Sequence, residues 1–167
     1  MVYWKGTHKD FHWFEVVSGY QLCLYTLIDD LPDLFLSKYL CISHFDGGEF
    51  TPSNKEVEIG WEKKEEIAYS PKLTNDILND PICDNYDQWY LFKNPIEMPN
   101  VESYVNYDNF SLQEGLREWS ELQKSFWSHI EIINPDIFIL DGVRLIFVSK
   151  NKMEIDRIVN LGLSKKV

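Results

Sequence analysis

IFILDGVRLIFVS, Ile137–Ser149, decides how this chain is read. Two apolar runs, Ile137–Leu140 and Val143–Ser149, flank Asp141–Gly142. Asp-Gly between apolar runs is the signature of a type I′ hairpin, whose two central residues both take positive φ. Neither run alternates apolar with polar residues. Both faces of these strands are therefore expected to be buried, which puts the pair in the middle of a sheet and under helix.

The chain on either side supplies helices. Ser111 and Glu114 have the S-x-x-E spacing of a capping box, in which the hydroxyl takes the N3 amide and the carboxylate reaches back to the cap amide. Apolar residues then recur at Leu112, Leu116, Trp119, Leu122, Phe126, Ile130 and Ile133, in steps of three and four. This predicts one long amphipathic helix over 111–133, closed by Asn134–Pro135. Downstream, Asn151-x-x-Glu154 resembles a helix start, and Met153–Leu161 forms a short C-terminal helix that stops before Gly162.

The first third reads as strands. Phe11–Val17 and Tyr20–Ile28 are rich in β-branched and aromatic residues, with Ser18–Gly19 as the hairpin connection. Pro32 breaks the pattern. Leu34–Phe45 suits a short helix and a buried strand equally. Val57–Trp61 and Glu65–Tyr69 are expected to pair, Leu73–Asn79 to form a short helix, and Gln88–Phe92 and Ser103–Tyr107 to be strands. Regular βαβα alternation is missing. The expectation is a single α+β domain over residues 1–167, with a mainly antiparallel sheet and helices on one face.

The 167 residues are enough to bury roughly 70% of the unfolded chain's surface without staples. Net charge is −11, which disfavours nucleic acid and anionic membranes and favours basic partners. The three cysteines, Cys23, Cys41 and Cys83, are scattered and form no disulfide framework. MVYWKGTHKDFHW, Met1–Trp13, has no apolar signal region, and Leu22–Ile28 is far too short to span a bilayer. These features predict a cytoplasmic protein away from membranes.

No motif marks catalysis. His8 and His12 have i, i+4 spacing, but Gly6 and Thr7 precede them and a strand pattern follows at once, so the segment is not expected to be helical, and nothing completes a metal site. No phosphate-cradling glycine loop and no nucleophile elbow occurs. Cys83 has acidic sequence neighbours, which raise a thiol's pKa rather than lower it. The aspartate clusters Asp29–Asp30–Asp33 and Asp80–Asp84–Asp87 lack calcium-loop spacing and suit turns. No catalytic residue, metal or cofactor is therefore assigned. A small hydrolase-type enzyme would use Cys83 or these aspartates with His44 or His129. An acidic nucleic-acid mimic is a third reading.

Charge is unevenly distributed. From Leu73 to Asn109 there are seven acids and one lysine, a local charge of −6. From Val143 to the end the balance is +4. The acidic segment contains DPICDNYDQWYLF, Asp80–Phe92, where carboxylates interleave with aromatics. Carboxylates steer a basic partner in, and aromatics anchor it by desolvation. The expected partner-binding residues are Asp84, Tyr86, Asp87, Trp89, Glu97, Glu102 and Tyr104. In this acidic, aromatic-rich, motif-poor composition the chain resembles bacterial toxin-immunity proteins as a class. That resemblance implies a non-enzymatic inhibitor that occludes a basic protein, such as a toxin domain, without binding nucleic acid directly.

Overall fold

The computed structural model describes residues 2–17, 22, 24–35, 38–45, 67–69, 86–94, 110–113 and 117–164. Their seven strands are β1 (Tyr3–His8), β2 (Phe11–Val17), β3 (Tyr39–Phe45), β4 (Ile67–Tyr69), β5 (Tyr86–Phe92), β6 (Ile137–Asp141) and β7 (Arg144–Ser149). The helices are α1 (Leu24–Asp30), α2 (Arg117–Ile133) and α3 (Lys152–Ser164), with a 3₁₀ turn at Pro32–Leu34. The strands form one sheet in the order β1-β2-β7-β6-β5-β3-β4. Every neighbouring pair is antiparallel. The architecture is α+β.

The Ile137–Ser149 stretch behaves as its composition demands. β6 and β7 pair with each other and lie inside the sheet, between β5 and β2. Successive side chains in a strand point to opposite faces. Ile137, Ile139, Leu145 and Phe147 therefore enter one core, and Phe138, Leu140, Ile146 and Val148 the other. Each buried aliphatic or aromatic side chain contributes about 1.5–3 kcal/mol.

Two cores need two covers, so the expectation of helices on one face is corrected. Ile155, Ile158 and Val159 of α3, with Leu27 and Ile28 of α1, close the first core. Phe126, Ile130 and Ile133 of α2, with Phe110 and Leu112, close the second. A sheet with continuous apolar runs at its centre has no face to leave in water, and this is the physical reason for the two covers.

Other local expectations are also revised. The Asp141–Gly142 turn is not type I′, because neither residue takes the left-handed φ that such a turn requires. The register pairs Asp141 with Leu145, leaving three residues between them where a type I′ loop has two. The segment expected as strand to Ile28 is helical from Leu24; there Leu27 and Ile28 turn together onto the core. In the segment that suited helix and strand equally, Leu34 ends the 3₁₀ turn and Tyr39–Phe45 is β3. Residues 111–113 are not helical, and the Ser111 hydroxyl accepts the Gln113 amide at 3.2 Å. Leu122, expected on the buried face of α2, is 40% exposed. Gly162 does not stop the last helix but is buried within it, and α3 continues to Ser164. The segments 57–61, 73–79 and 103–107 lie outside the described residues.

Two helix ends match their sequence signals. Asn134 takes φ 55° and its amide donates to the Ile130 carbonyl at 2.7 Å, an αL cap that leads into Pro135. Asn151 Oδ1 accepts the Met153 amide at 3.0 Å and caps α3. At the other end of the chain, β1 is a strand with no sequence expectation behind it. It is joined to β2 by the two-residue loop Lys9–Asp10, in which Lys9 alone takes positive φ, 53°. Gly6 lies opposite Trp13, and a Cβ on Gly6 would meet the indole ring at 2.7 Å. The glycine makes room for the tryptophan.

Candidate functional site

The expected docking residues centre on β5, an interior strand between β3 and β6. Trp89 is 0% exposed and belongs to the core on the α3 side, paired across the sheet with Ile42 and Ile139. It is removed from the list of surface anchors. In an interior strand an apolar ring facing a helix-covered side is core, whatever its sequence neighbours. Tyr86 and Asp87 form the first positions of β5. Asp84, Glu97, Glu102 and Tyr104 lie outside the described residues, as does Cys83. Tyr86 and Phe92 are opposite ends of a strand about 20 Å long.

Three polar constellations lie on the α2 side. In the first, Glu15 has no exposed surface although it sits in the apolar strand β2. One carboxylate oxygen accepts the Leu112 amide at 2.6 Å and the other accepts Arg144 at 3.0 Å. Arg144 also lies over the Trp4 ring, 5.6 Å from its centre. A buried carboxylate persists only when paired in this way. Glu15 thereby ties residues 110–112 down over the sheet.

In the second, the Tyr90 hydroxyl meets His129 Nε2 at 2.7 Å and lies 3.2 Å from Gln88 Oε1. Tyr90 is wholly buried, and burial pushes the His129 imidazole below its ordinary pKa. The neutral ring braces α2 against β5. His129 was a potential base for an enzyme reading; here its Nε2 meets a phenol with no exposed surface.

In the third, Glu131 near the end of α2 pairs with both His8, at 2.6 Å, and Lys9. His8 stacks on Trp127 with ring centres 4.3 Å apart. Hydrogen bonds from Lys9 and His8 hold the Glu131 carboxyl below its ordinary pKa. This clasp joins the β1–β2 loop to α2.

On the opposite side, Asp33 of the first aspartate cluster makes a two-pronged pair with Arg157, at 2.7 and 2.8 Å. It fastens the 3₁₀ turn to α3. Among the described residues no group of three His, Cys, Asp or Glu is placed to hold a metal ion. Among the described residues no helix is long and apolar enough to cross a membrane.

Sequence reasoning missed the Glu15–Arg144–Leu112 clasp. The signal was a glutamate inside FHWFEVV, at the same parity as Phe11 and Trp13. Its partners lie 97 and 129 residues away, beyond any local pattern. Comparison with protein-family models, with curated proteins and with solved structures returns no match.

Proposed function

We propose that this chain is a non-enzymatic binding protein that occludes a basic partner, as a toxin-immunity or inhibitor protein does, in the cytoplasm. The observation that carries this reading is the charge of −6 between Leu73 and Asn109, more than half of the whole chain's −11. Tyrosines are interleaved through the same acidic stretch. Acids there accelerate encounter with a cationic surface, and tyrosines add desolvated contact at the centre. With Trp89 committed to the core, the surface rests on Asp84, Tyr86, Asp87, Glu97, Glu102 and Tyr104. Glu15, His129, Glu131 and Asp33 are each engaged in ties between elements of the fold, so the reading rests on the acidic segment and not on them.

Charge reversal tests the surface. Asp84→Lys with Asp87→Lys is expected to slow association with the partner and flatten the dependence of affinity on salt, with the thermal midpoint unchanged. Unaltered affinity and salt dependence in that double variant would remove this surface from the proposal.

A further inference from the structure

We draw no further inference here: the strongest candidate, the exposed apolar patch of Val2, Val17 and Val143 at the end of the sheet where β1 starts, β2 stops and β7 begins, carries nothing because nothing in the structure shows what covers it.

Discussion

Removing the Glu15 carboxylate is expected to be among the most damaging single changes to this protein. Glu15 has no exposed surface and serves two donors, the Leu112 amide and Arg144. Glu15→Ala leaves the amide of a buried residue without its acceptor. It also leaves a guanidinium without its counter-charge, although Arg144 is 28% exposed and can turn to water. Breaking a buried pair from one side costs about 3–5 kcal/mol, and the exposure of Arg144 places this case near the lower end. With a urea m-value of about 2 kcal/mol/M, a loss of about 3 kcal/mol moves the unfolding midpoint by about 1.5 M. Glu15→Gln retains a carbonyl for the Leu112 amide and loses only the charge, so about half that effect is expected. Tryptophan fluorescence in urea reads both variants, and hydrogen exchange at Leu112 reports the local release. An unchanged m-value with a midpoint shift below about 0.5 M for Glu15→Ala would refute the assignment of Glu15 as the tie between residues 110–112 and the sheet.

Two glycines are predicted to differ in their response to alanine. Gly6→Ala drives a methyl into the Trp13 ring and is expected to cost about 1–3 kcal/mol, with a shift in tryptophan emission. Gly142→Ala meets nothing within 4 Å and needs no left-handed φ, so its stability is expected to stay within about 0.5 kcal/mol of the parent. Acid is expected to weaken the α2 side through His129, whose folded pKa is held below 6.5 by burial. The unfolded chain takes the proton more readily, so this contribution is complete above the unfolded pKa and is lost as pH falls through the folded one. Thermal midpoints at about pH 7.5 and about pH 5.5 should therefore differ less in His129→Gln than in the parent, and an equal difference would contradict the prediction.

Where burial is decided by the strand's own composition, the fold was legible. IFIL and LIFV are apolar on both sides and occupy the sheet centre, as such runs must. Asn134–Pro135 and Asn151 mark helix ends because capping is local chemistry. β1 was not legible: YWKGTH has a lysine, a glycine and weak alternation, and its order comes from pairing with β2. α1 was read as strand because Leu24–Ile28 is β-branched and aromatic enough for either state. Its helical form is favoured by bringing Leu27 and Ile28 to one core. Trp89 looked like an anchor because aspartates and tyrosines surround it in sequence. Only the position of β5 inside the sheet shows the indole to be core.

The central claim, an acidic surface that captures a basic protein, is tested most directly by affinity capture with the tagged chain from a lysate of its native cells at low and high salt, with mass spectrometry of the eluate. The account predicts one stoichiometric basic partner, retained at low salt and weakened at high salt, and no longer retained by the Asp84→Lys, Asp87→Lys variant. Stoichiometric capture of a partner that is indifferent to salt and to both substitutions would contradict it, as would the absence of any partner under either condition.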